Sequence, residues 1–154
     1  MTAHWKYLCL VLRHKWFVFV AGRRTGVSLW RLVIHDWTKF APSEWCPYVH
    51  RFSSGRAGDF DKSADPDEWH RAWTHHWHRQ PHHWEHWLAF GSDGVARPML
   101  MPCRFVEEMV ADWMGASRAY TGSWDVREWY AKNRERIVLH DESRAYAELV
   151  MVTS

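Results

Sequence analysis

The sequence predicts an all-α protein, a compact single-domain bundle of about five to seven helices. Three observations predict it. Apolar residues recur at three- and four-residue spacing along several stretches, which is the period of a helix face. Cap residues and prolines bound those stretches where helices start and stop. No alternating apolar–polar run of useful strand length is present. The 154 residues suit one domain.

Residues 3–22 read as an amphipathic helix, with Tyr7, Val11, His14 and Val18 on one face. Gly22 and Gly26 bracket a basic turn, Arg23-Arg24-Thr25. Ser28 suits the N-cap of a second helix over Leu29 to Phe40, which Pro42 stops. Residues 41–64 carry Pro42, Pro47, Gly55 and Gly58 and read as irregular. Asp65-Pro66-Asp67-Glu68 starts a helix that runs to about His78. Pro81 breaks it, and a short helix resumes over His82–Phe90. A loop covers residues 91–101, and Pro102 opens a helix that ends near Gly122. Ser123 suits the cap of a helix over Asp125–Ile137, and a last helical or extended piece covers Glu142–Val152. This gives a helical core over 1–122 and a helical extension over 123–154 packed on the same domain.

Composition narrows the function classes. A net charge of +2, with no block of Lys or Arg, speaks against duplex nucleic-acid binding by phosphate neutralisation. No stretch of about eighteen apolar residues suggests a membrane span, and no signal-peptide pattern opens the chain. A cytoplasmic protein is expected. Cys9, Cys46 and Cys103 form no CxxC, so neither a disulfide framework nor a zinc ribbon is expected.

Histidine and tryptophan are in excess, 12 and 13 residues. Trp fills cores, but Trp37, Trp45, Trp77 and Trp84 lie near chemically active residues and could equally stack on a base. Eight of the 12 histidines fall between His50 and His86. In His75-His76-Trp77-His78-Arg79-Gln80-Pro81-His82-His83, two His-His pairs stand seven residues apart. On a continuous helix that is about two turns; with Pro81 between them the pairs can converge instead. His35-Asp36 follows an apolar helix, with Lys39 three residues on and His14 21 residues upstream. Asp112 stands alone in Met109-Val110-Ala111-Asp112-Trp113, where burial is costly unless it is paired or bound to a cation. Glu108 shares its face, as a partner behind a ligand, a general acid or base, or an exposed charge. Lys39 and Arg79 are candidates to hold a substrate phosphate.

The order His … His-Asp-x-x-Lys … His … His … Asp resembles the HD-domain superfamily of metal-dependent phosphohydrolases, over roughly residues 8–120. Thr38 stands where that signature usually has Gly. The resemblance implies an HD-like helical core whose metal ligands are His14, His35, Asp36 and Asp112. Further histidines would come from His75, His76, His82 and His83, with His76 and His83 favoured. It implies one or two divalent cations (Mn, Fe, Zn, Co or Mg) and hydrolysis of a small phosphoester, a nucleotide or nucleotide-like molecule, by a metal-activated water. Lys39, Arg79 and Glu108 would serve the chemistry. The chain also resembles an uncharacterised family of small bacteriophage proteins. That likeness rests on His35-Asp36-Trp37-Thr38-Lys39-Phe40-Ala41-Pro42-Ser43-Glu44-Trp45, the 75–84 histidine segment and Glu108–Trp113. Two alternatives stay open: a non-catalytic, metal-stabilised protein that binds a host or phage partner, and a di-iron HD-type oxidase. Homo-oligomerisation also stays open.

Overall fold

The structure, a computed structural model, describes residues 1–56 and 59–154. Among them are seven α-helices: α1 Ala3–Thr25, α2 Leu29–Ile34, α3 Pro42–Arg51, α4 Pro66–Arg79, α5 Cys103–Thr121, α6 Arg127–Asn133 and α7 Asp141–Thr153. Single 3-10 turns lie at Trp37–Phe40, Trp84–Trp87 and Arg134–Arg136. One small antiparallel hairpin joins β1 Leu88–Phe90 to β2 Ala96–Pro98, with Leu88 opposite Pro98. The fold is all-α.

The long α1 and α5 lie side by side at the centre, where Val18 and Ala21 pack with Val106, Val110 and Ala111. Their approach depends on Gly115: a Cβ there would sit 2.9 Å from the backbone nitrogen of Val18. Ile137 and Leu139, with Ala147 and Val150 of α7, complete the same core, so residues 123–154 pack directly on α5. A second apolar cluster gathers Tyr7 and Val11 of α1, Tyr48 and Val49 of α3, and Ala72 of α4.

Several boundaries differ from the sequence reading. The Arg23-Arg24-Thr25 turn belongs to α1, because arginines in a last turn suit the negative end of the helix dipole. Gly26, at φ 92°, makes the left-handed cap and donates its N–H to the Gly22 carbonyl. Residues 42–51, read as irregular, form α3: Pro42 opens it from the first turn, where a missing N–H costs nothing, rather than stopping α2. The second helix stops at Ile34 and not at Phe40. Residues 82–90 hold a 3-10 turn and β1 in place of a short helix, and the expected 91–101 loop supplies β2. Val126, rather than Ser123, precedes α6, which ends at Asn133. No helix among the described residues is long and apolar enough to cross a membrane. All three cysteines are free and exposed.

Candidate metal centre

Pairing α1 with α5 sets His14 beside Asp112, with His14 Nε2 2.9 Å from Asp112 Oδ1. The end of α2 brings the other half. Lys15 donates from α1 to the carbonyls of Val33 and His35, which holds that helix end in place. The chain then turns sharply. Asp36 adopts φ 55°, the one positive φ outside glycine among the described residues. Asp tolerates this left-handed conformation better than most residues. The turn lets adjacent side chains point to one place, and both His35 and Asp36 are only 1% exposed.

Asp36 joins two sets of donors. Its Oδ2 lies 3.5 Å from His14 Nε2 and 3.4 Å from His35 Nε2. Its Oδ1 lies 3.3 Å from His76 Nε2 and 3.4 Å from His82 Nε2. In each group, His14–His35–Asp36–Asp112 and Asp36–His76–His82–His83, the donor atoms all fall within 4.8 Å of one another.

The donors fit a cation. The Nε2 atoms of His14, His35, His76, His82 and His83, and Asp36 Oδ1, are buried without a hydrogen-bond partner. An orphaned buried polar atom costs about 1–3 kcal/mol, so six in one place call for a shared partner. Two ligands about 2.0–2.2 Å from one metal ion sit roughly 3–3.5 Å apart, the spacing of these contacts. Imidazole with carboxylate suits Zn, Mn, Fe or Co. These buried groups can hold a metal ion.

Behind the donors, carboxylates fix the rings. His35 Nδ1 donates to Glu108 Oε1 at 2.9 Å, and the same oxygen lies 3.4 Å from His82 Nδ1. Arg31 pairs with the other Glu108 oxygen and lies over the Phe105 ring. His76 Nδ1 donates to Glu44 Oε2 at 2.8 Å. Thr38 Oγ1 donates to that oxygen at 3.1 Å and accepts from Gln80 Nε2 at 3.0 Å. The Thr38 hydroxyl thus ties α3, α4 and the turn after Asp36 together. Holding Nδ1–H on a carboxylate leaves the Nε2 lone pair facing the centre.

Burial opposes charge at every buried group here, and the neighbours decide the sign. At Asp36 the positive fields of His35, Lys39 and His76 outweigh burial and hold the carboxyl well below its ordinary value. Asp112 is lowered in the same way by the nearby imidazoles of His14 and His35. For His35, Asp36, Asp112 and Glu108 outweigh burial and raise the imidazole to about 9. His83 is pushed well down by burial and by the charge of His82 and His76, so its ring stays neutral.

Not every candidate reaches the centre. His75 donates to Glu44 Oε1 at 2.7 Å from the partly exposed side of α4 and belongs to neither donor group. Arg79 lies on the exposed face of α4, beside His75 and His78 on the open surface, because four residues carry it round from His75 and away from His76. Glu108 is 2% exposed behind two rings, which leaves it a partner of ligands rather than an acid or base in contact with substrate. Lys39 does reach the centre, with Nζ 2.5 Å from Asp36 Oδ2. Of the four tryptophans, Trp37 is exposed, Trp45 packs on Tyr7, Trp77 stacks on His78 and Trp84 packs against the main core. The sequence reading missed the roles of Glu44, Gln80 and Arg31. Glu44 had a signal, since it shares a helical stripe with Tyr48, but only once α3 is recognised.

No curated protein and no solved structure matches the chain. A sequence model of a family of unknown function, DUF5662, matches residues 3–151. That match runs from α1 into α7 and through every donor of the centre, and the chain belongs to the DUF5662 family.

Proposed function

We propose that the protein is a metal-dependent phosphohydrolase that cleaves a small phosphoester at a centre bridged by Asp36. One observation carries the reading: Asp36 offers one oxygen to each of two donor groups. His14, His35 and Asp112 with Oδ2 would hold one cation, and His76, His82 and His83 with Oδ1 a second. When bound, such cations supply a nucleophilic water near neutral pH and neutralise phosphate charge. The resemblance to the HD-domain superfamily supports the same chemistry. The imidazole-rich donor set favours Mn, Fe, Co or Zn over Mg.

The residues around the centre have definite tasks. Glu108 keeps His35, and Glu44 keeps His76, in the tautomer that faces inward. Lys39 is mostly buried; the charges of Asp36 and Asp112 outweigh burial and keep it protonated. It is the cation placed to exchange Asp36 for a substrate phosphate oxygen. The resemblance implies a nucleotide or nucleotide-like substrate, met in the cytoplasm, that of the host if the protein is phage-encoded.

The test is phosphate release from a panel of phosphoesters by tag-free protein loaded with Mn²⁺, Fe²⁺, Co²⁺, Zn²⁺ or Mg²⁺. Metal-dependent release that Asp36→Ala abolishes is expected. Tight metal without release from any ester would contradict the reading and point to the binding protein or the oxidase.

A further inference from the structure

The helix α1 carries two stripes of one spacing. Tyr7, Val11, His14, Val18 and Ala21 step by four and three residues and face the core and the centre. Trp5, Cys9, Leu12, Trp16, Phe19 and Arg23 step by four and three residues as well, and face the other way. Trp5, Cys9, Leu12 and Trp16 are exposed, and Trp16 stacks on Phe19. A surface helix ordinarily turns polar side chains outward. Apolar residues at this spacing are what one helix presents to another.

The outer stripe continues onto neighbouring elements. After Gly26 the chain runs back along one edge of α1. Leu32 packs on Gly22, Lys15 donates to the carbonyls of Val33 and His35, and Trp45 Nε1 donates to His4 Nδ1 at 2.9 Å. His4 and Lys15 are the chain neighbours of Trp5 and Trp16, so this edge borders the stripe. It brings the exposed Trp30, Val33 and Trp37 alongside, and Phe40, which stacks on Trp45.

Size and charge name what covers this face. Trp5, Trp16, Trp30 and Trp37 are each more than half exposed. At about 150–250 Å² for a whole aromatic side chain, they present roughly 500 Å². The exposed Leu12, Leu29, Val33, Ile34 and Phe40 raise the patch to roughly 800 Å². The largest apolar patch on a monomer is about 300–600 Å², whereas one side of a standard protein interface is about 800 Å². Charge is scarce here. The first carboxylate in the chain is Asp36, Lys15 is turned to carbonyls, Arg31 is turned to Glu108, and Arg23 is the one charged member of the stripe. An anionic lipid surface is met by a cluster of free Lys or Arg. An apolar middle with charge only at its end fits another protein surface instead. A two-fold axis through the patch sets the stripe against itself, apolar on apolar, with Arg23 at the rim.

We infer that this face is the interface of a symmetric homodimer, with the outer stripe of α1 packed on that of a second copy and Trp30 and Trp37 closing its flank. The interface uses none of the metal donors, so it stands or falls apart from the hydrolase reading.

Sedimentation tests it. At about 10 µM, within the range of affinities for an interface of this size, wild-type protein should run at twice the chain mass of 18.5 kDa. Leu12→Glu and Trp16→Glu should each raise the dimer Kd about thirtyfold or more, as losses near the middle of an interface do. Trp30→Glu should weaken the dimer too, and Leu12→Ala, which adds no charge, should weaken it less. Val152→Glu, at another exposed apolar position, on α7, should leave it unchanged. Far-UV circular dichroism and metal content should match wild type throughout, because every one of these positions is exposed. Wild-type protein that sediments as a monomer overturns the inference, and pelleting of that monomer with phosphatidylserine vesicles would give the face to lipid. A dimer that survives the substitutions on α1 and α2 also overturns it, since another surface then joins the copies.

Discussion

Glu108 shows how much of the centre depends on residues that would never touch a metal. Its Oε1 faces Nδ1 of His35, from one donor group, and Nδ1 of His82, from the other. Replacing it by Gln removes the charge and keeps the shape. Metal affinity should fall by about 10–100-fold, the usual loss when such a partner goes. Competition with a chelator reads this directly, and Glu44→Gln should weaken the second group alike. His75→Ala and Arg79→Ala should keep their metal. The His35 shift also sets a pH dependence for metal-free protein. Its folded pKa, raised to about 9, lies above the unfolded value of about 6.5. Its pairing with carboxylates therefore stabilises fully below about pH 6.5 and fades as pH rises through about 9. Melting temperature of the chelated protein should fall across that window. With metal present it should not, because the cation competes with the same proton. Asp112 was legible as a lone carboxylate on an apolar helix, where burial demands a partner, whereas His14, His35 and Asp36 were named through the resemblance. Glu44 was not, because Pro42 and Pro47 disguised its helix.

At the scale of elements, the centre is set by how closely α1 approaches α5. An alanine at Gly115 would put its Cβ against Val18 backbone atoms, which cannot rotate away as a side chain can. Overpacking of this kind costs about 1–3 kcal/mol. Gly115→Ala should therefore lower the melting temperature by several degrees. It should also weaken metal binding, since the two helices carry His14 and Asp112. Unchanged metal affinity with a lowered melting temperature would show that the helix spacing does not set the site. The helices α1 and α5 were plain in the sequence from their apolar faces, and α4 from its Asp65-Pro66 start. The stop of α2 at Ile34 was hidden. No glycine or proline marks it, and the left-handed Asp36 is held by surrounding contacts that no local pattern reveals.

Across the whole molecule, the centre lies at a seam. His14 sits on α1 between Val11 of one apolar cluster and Val18 of the other, and the donors reach it from α2, α4, α5 and the turn after Pro81. A cation held there would staple the two clusters. At a free concentration about 1,000 times its Kd, a cation bound only by the folded state adds about 4 kcal/mol. For a chain of this size that raises melting by roughly 10 °C. Thermal melts with and without chelator check it, and equal melting temperatures would mean the cation staples nothing. The all-helical architecture was legible at this scale because it follows from summed periodicity. The seam was not, since it depends on distant segments meeting.

The most direct test of the Asp36-bridged centre is metal content by elemental analysis of tag-free wild type, Asp112→Ala and Asp36→Ala. About two equivalents in wild type, about one in Asp112→Ala and none in Asp36→Ala are expected from two groups that share one carboxylate. Stoichiometric metal retained in Asp36→Ala, or none in wild type, would contradict it.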